Sequence, residues 1–81
     1  MMAVNRFKEL IETSGDIMFE CDDKKFTICT WCEQGIMIGE QNSPVEDSKY
    51  FASADELINN FLVNGVPLAK QTDSIKVEFY N

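Results

Sequence analysis

Cys29-Thr30-Trp31-Cys32 is the stretch of this 81-residue chain whose residue types and spacing come nearest to a reactive site. Two cysteines separated by two residues serve redox-active thiols and half of a zinc tetrahedron. A thioredoxin-like site needs its first cysteine at a helix amino terminus inside a βαβ unit, where the helix dipole lowers the thiol pKa. Here the pair closes a run of β-forming residues instead. Zinc needs four ligands, and the chain offers no histidine and one further cysteine, Cys21, which becomes a third ligand only if strand register brings it alongside. An odd number of cysteines cannot pair fully within one chain and fits a reducing compartment. Structural cysteines are the expectation, with a thiol or zinc protein built on Cys29 and Cys32 as the alternative, and no cofactor is expected.

The absence of histidine removes the usual general base near neutral pH and every Ser-His or Cys-His nucleophile arrangement. Carboxylates remain, in the adjacent pairs Asp22-Asp23, Glu46-Asp47 and Asp55-Glu56. Neighbouring residues on a strand or helix diverge rather than converge on one substrate, so solvated surface and helix-dipole roles are the reading for each. The four glycines are scattered at turns and form no phosphate-binding loop. The chain is therefore not expected to be a self-contained enzyme.

Fourteen acidic against seven basic side chains leave a net charge of −7. That field repels nucleic-acid phosphates and attracts a basic partner, including a nucleic-acid-binding protein whose groove normally holds phosphates. The same excess also serves solubility. No run approaches the roughly 18 apolar residues of a membrane span, and charges interrupt the apolar residues at the start, so a cytoplasmic protein without membrane contact is expected.

The elements that would position these residues follow from periodicity. Val4, Phe7, Leu10 and Ile11 lie on one face of a helix over about residues 3–13, which Ser14-Gly15 is expected to end through a left-handed glycine. Ile17, Phe19 and Cys21 alternate with Met18, Glu20 and Asp22, which marks a strand. A polar turn at Asp23-Lys24 leads to a second run over residues 25–32, in which Phe26, Ile28 and Thr30 alternate with Thr27, Cys29 and Trp31. After Glu33-Gln34-Gly35, Ile36 to Ile38 supply a short third strand. Residues 40–49 read as an exposed acidic loop carrying Glu40, Glu46 and Asp47, with Tyr50 and Phe51 pinning its far end.

Ser53-Ala54-Asp55-Glu56 matches a capping box, and Leu57, Ile58, Phe61 and Leu62 extend the helix through about residue 62, where Asn64-Gly65 is expected to stop it. Pro67 begins a short helical segment. Ile75, Val77 and Phe79 against Lys76, Glu78 and Tyr80 form a last amphipathic strand that returns to the sheet. The predicted fold is thus a single α+β domain over 1–81: an N-terminal helix, a three-stranded antiparallel meander, a second helix and a C-terminal strand in the same sheet.

Alternation places Trp31 on the sheet face opposite Phe26 and Ile28, where Met18 and Met37 join it in one apolar patch suited to protein binding. Trp31, Met18, Met37, Glu40, Glu46, Asp47 and Tyr50 are accordingly the expected binding residues. A second possibility is a small-ligand binder in which Trp31, Tyr50 and Tyr80 stack on a planar ligand, at an interface between copies because so short a chain encloses little cavity. A homo-oligomer is thus left open.

The stretch Ala52-Ser53-Ala54-Asp55-Glu56-Leu57-Ile58-Asn59-Asn60-Phe61-Leu62-Val63-Asn64-Gly65-Val66-Pro67-Leu68 resembles short uncharacterised acidic proteins of Firmicutes and their phages. In those proteins a helix and a β-meander precede a "D-E-L-hydrophobic-x-x-F" helix and an "x-G-x-x-L" turn. In size, acidity and α–βββ–α order the chain also resembles phage-encoded inhibitors of bacterial defence, including anti-CRISPR proteins that occupy DNA-binding grooves. These resemblances transfer no residue role; the net charge and the missing catalytic base point to a non-catalytic protein-binding module, a phage- or mobile-element-encoded inhibitor being one form of it, that engages a basic partner through its acidic loop and the apolar patch near Trp31.

Overall fold

The computed structural model describes residues 3–81. Helix α1 runs over Val4–Thr13, and its apolar stripe buries Phe7, Leu10 and Ile11. The expected left-handed glycine stop is absent. Ser14 instead leaves the helix in an extended conformation, its N–H donating to Leu10 O at 3.0 Å, and the chain passes directly into strand β1, Asp16–Cys21. Strand β2, Lys24–Cys32, follows a two-residue turn in which Asp22 and Asp23 both take positive φ, the backbone that matches the twist of a tight hairpin. Strand β3 is Gly35–Glu40, longer than its three central apolar residues predict.

The segment expected to be loop up to residue 49 contains a single 3₁₀ turn at Val45–Asp47 and ends in a fourth strand, β4, Lys49–Phe51. Three residues are too few to show a periodicity, so the strand is invisible to pattern reading. Helix α2, Ala54–Asn60, starts as its cap predicts, with the Glu56 N–H donating to Ser53 Oγ at 3.1 Å. It stops earlier than expected. Phe61 turns to extended backbone, and Leu62–Val63 (β5) and Val66–Pro67 (β6) form a small hairpin about Asn64-Gly65, both at positive φ. Asn-Gly between apolar pairs is a hairpin turn here, not a helix stop. The Gln71 amide bolts that hairpin shut by donating to Val63 O at 3.0 Å and to Val66 O at 2.7 Å. At its tip, the Asn64 amide donates to the Asp22 carboxylate, tying the two turns together.

Strand β7, Ile75–Tyr80, closes the main sheet, whose order is β4-β3-β2-β1-β7 with every pair antiparallel. The α+β class is as predicted. The C-terminal strand joins the sheet as expected, beside β1, and the topology is richer than predicted because β4 adds a fifth strand at the opposite edge, beside β3, and β5 and β6 pair separately.

Both helices pack on one face of this sheet. Ile17, Phe19, Cys21, Phe26, Ile28 and Ile38 point into the same cluster as Phe7, Leu10, Ile11, Leu57 and Ile58. Through it runs a chain of rings, Phe7 edge-on to Phe19 at 5.4 Å, Phe19 stacked on Phe26 at 5.3 Å and Phe26 edge-on to Phe61 at 5.7 Å. Lys8 reaches Asp55 at 3.5 Å across the helix pair.

Candidate functional site

Register assigns the opposite face of the sheet residue by residue. Tyr50, Met37, Cys29 and Asp16 stand side by side across β4, β3, β2 and β1. The next row is Gly39, Thr27, Met18 and Phe79. Beyond it Lys25, Glu20 and Lys76 make a charged row, and Glu78 reaches Lys25 at 3.5 Å. Both helices lie on the far side, so this face is open, and Tyr50, Met18 and Phe79 are 40%, 41% and 49% exposed. Met37, Cys29 and Thr27 are half-buried between them. An antiparallel sheet with one solvated face ordinarily shows polar residues there. Two of the three rows depart from that pattern.

Gly39 has its place in the second row through its pairing with Thr27, and a Cβ there would stand 2.7 Å from Ser48 Oγ, so Ser48 occupies the space a side chain would need.

Two irregularities shape the face. The register of β7 on β1 shifts between Met18 and Phe19, so that Glu78 is an extra residue: Val77 pairs with Phe19 on the helix side, and Phe79 pairs with Met18 on the open side. Strict alternation would have buried Phe79 with Ile75 and Val77. The bulge turns it outward instead. The second shift lies between Cys29 and Cys32, where Thr30 and Trp31 together oppose Ile36. Thr30 Oγ1 donates to Ser14 O at 2.5 Å, and the Trp31 indole lies beside Gly15, 3.6 Å from where a Cβ would be. Trp31, 72% exposed, therefore leaves the row that alternation predicts and projects at the end of the sheet beside the helix-to-strand junction.

The same bulge brings Cys29 and Cys32 to one face, with the Cys32 thiol donating to Cys29 Sγ at 3.4 Å. That hydrogen bond, then burial, then the nearby charges of Cys29 and Asp16 push the Cys32 thiol above its ordinary pKa. Cys21 is fully buried on the helix side, its pKa raised by burial and by the Asp22 carboxylate. The sheet thus separates Cys21 from the other two, and it is no third ligand. Among the described residues no three Cys, Asp or Glu side chains gather as a metal-binding set.

The acidic residues divide differently from expectation. Glu40 and Asp47 line a cleft of about 230 Å³ together with Lys24, Lys49, Phe61 and Asn64, floored by Phe26 on the helix side of the sheet. They belong with two lysines rather than with the methionines. Glu46 is exposed on the 3₁₀ turn. The cleft is smaller than the roughly 300–1,000 Å³ of usual ligand sites. Within one copy Tyr50 and Tyr80 do not meet, because they stand on opposite edge strands of the sheet, four strand spacings of about 4.8 Å apart.

Of the seven expected binding residues, then, Met18, Met37 and Tyr50 share one surface, Glu40 and Asp47 share another, and Trp31 and Glu46 stand apart. Phe79 was missed, because an ideal period of two hides a bulge. No family model, curated protein or solved structure matches the chain.

Proposed function

We propose that the protein is a non-catalytic binding module whose open sheet face docks a basic protein partner. The observation that carries this is the outward turn of Phe79 beside Met18, which extends an apolar surface from Tyr50 on one edge strand to Phe79 on the other. Large side chains held in water by a sheet are a standing cost unless a partner covers them, and adaptable methionines flanked by aromatics suit such a contact. The net charge of −7 sets the class of partner. It favours association with a positively charged surface and opposes direct contact with nucleic acid. An inhibitor encoded by a phage or mobile element, occupying a nucleic-acid-binding protein, is the form of this reading to which the acidity and small size lend support.

The test is capture of a basic protein by the tagged chain from its own host, repeated with Met18→Asp/Phe79→Asp. The variant is expected to keep the far-UV spectrum of the parent and to lose the partner. Capture that survives both charges on the open face would overturn the assignment.

A further inference from the structure

The binding reading leaves Cys29 and Cys32 unexplained. Residues three apart on a regular strand point to opposite faces. Here the bulge places them on the same face with their sulfurs 3.4 Å apart and hydrogen-bonded. Both are half-buried rather than sealed, whereas Cys21 is enclosed by the core. A disulfide has its sulfurs about 2.05 Å apart, so closing this pair needs a relative movement of roughly 1.4 Å. Side-chain rotation supplies movement of that order. With Cys21 on the other side of the sheet, the chemistry open to the pair is that of a dithiol.

We propose that Cys29 and Cys32 form a reversible intrachain disulfide by exchange with a low-molecular-weight disulfide such as glutathione disulfide. Cys29, which accepts the hydrogen bond, attacks as its thiolate. It bonds to one sulfur of the small disulfide, breaking that S–S bond and releasing one small thiolate, which takes up a proton. Cys32 then gives up its proton, and its sulfur attacks Cys29 Sγ in the mixed disulfide. The Cys29–Cys32 bond forms and the second small thiol leaves. Two protein thiols are oxidised and one small disulfide is reduced to two thiols.

The consequence is local. Closure encloses Thr30 and Trp31 in a four-residue loop and fixes the bulge that sets the indole against Gly15. It also alters the Cys29 neighbour of Met37 within the first apolar row. This inference does not depend on the identity or existence of a partner, since it concerns the thiols alone.

The full-length chain would be equilibrated in glutathione buffers of graded disulfide-to-thiol ratio, quenched with acid, alkylated after unfolding and weighed intact. The expected result is the joint loss of two alkylatable thiols, read as a mass two alkyl groups below that of the fully reduced and alkylated chain, with Cys21 still alkylated and Trp31 fluorescence changing at the same ratio. Cys32→Ser is expected to hold a persistent glutathione adduct on Cys29, at least about tenfold more abundant than any adduct on the parent. A parent chain that accumulates adducts as the variant does would overturn the proposal. So would one whose thiols all stay alkylatable at the ratio that loads Cys32→Ser.

Discussion

Two phenylalanines on neighbouring strands separate the bulged sheet from a regular one. Phe19 is fully buried and packed between the rings of Phe7 and Phe26, whereas Phe79 is 49% exposed beside Met18. Truncating a buried phenylalanine to alanine costs about 3–5 kcal/mol, through lost transfer energy and the cavity left behind. For Phe79 the comparison starts from the roughly 1.5–3 kcal/mol gained on full burial. With half its surface already in water, and no cavity to open, Phe79→Ala should cost about 1 kcal/mol. A chain of this length has a total stability of roughly 4–12 kcal/mol, so the first change removes a large share of it and the second a small one. Urea unfolding followed by far-UV circular dichroism would measure both, with unchanged slopes confirming that the same transition is compared. If β7 ran without its extra residue, Phe79 would join Ile75 and Val77 inside. A cost for Phe79→Ala of about 3 kcal/mol or more would therefore refute the register on which the open face rests.

Other outcomes follow from single contacts. Ser53→Ala should cost about 1 kcal/mol by leaving the Glu56 N–H without its cap, read as a shift in urea midpoint, whereas an unchanged midpoint would mean that the cap contributes nothing. Gly35→Ala should be worse than a typical surface change, by roughly 1–3 kcal/mol, because φ is +123° there and a Cβ would stand 2.6 Å from Phe51 O; equal stability would contradict the β3–β4 pairing. Stability should also fall in alkali. Cys21 and Cys32 both hold their protons above the ordinary thiol value of 9.0, the first mainly by burial and the second mainly by its bond to Cys29. The unfolded chain releases these protons near that value and the folded chain only above it. The contribution is thus fully present below about pH 9 and is lost as pH rises through the folded values. A Cys21→Ser/Cys32→Ser variant should lose less stability than the parent as pH rises above the ordinary thiol value of 9.0, and parallel curves would contradict the assignment.

Much of the scaffold was legible because its signals are strictly periodic or locally capped. The stripe of α1, the alternation of β1 and the Ser53 cap each depend on a few consecutive residues, and each forms where expected. What escaped is set by contacts distant in sequence. Strand β4 exists because residues 49–51 find the edge of β3, and nothing within those three residues announces it. Asn64-Gly65 suits a helix stop and a hairpin turn equally well; the pairing of Leu62 with Pro67 and the Gln71 bonds select the hairpin. For the site, Met18 and Met37 were readable as one surface because regular alternation governs them, whereas Tyr50 reaches that surface only through the unannounced strand β4. Phe79 was misplaced because one extra residue at a bulge reverses the facing that alternation dictates, and Trp31, exposed as expected, left its row because a second bulge lies at its own position.

The surface that meets a partner can be located directly by amide hydrogen exchange on the captured complex, compared with the free chain. Binding through the open face should slow exchange in β1, β2, β3 and β7 around Met18, Thr27, Met37 and Phe79, and leave α1 and the Asn64-Gly65 hairpin at their free rates. Protection concentrated instead on the helices, or on the cleft between Lys24 and Lys49, with those four positions unchanged, would contradict the account at its centre.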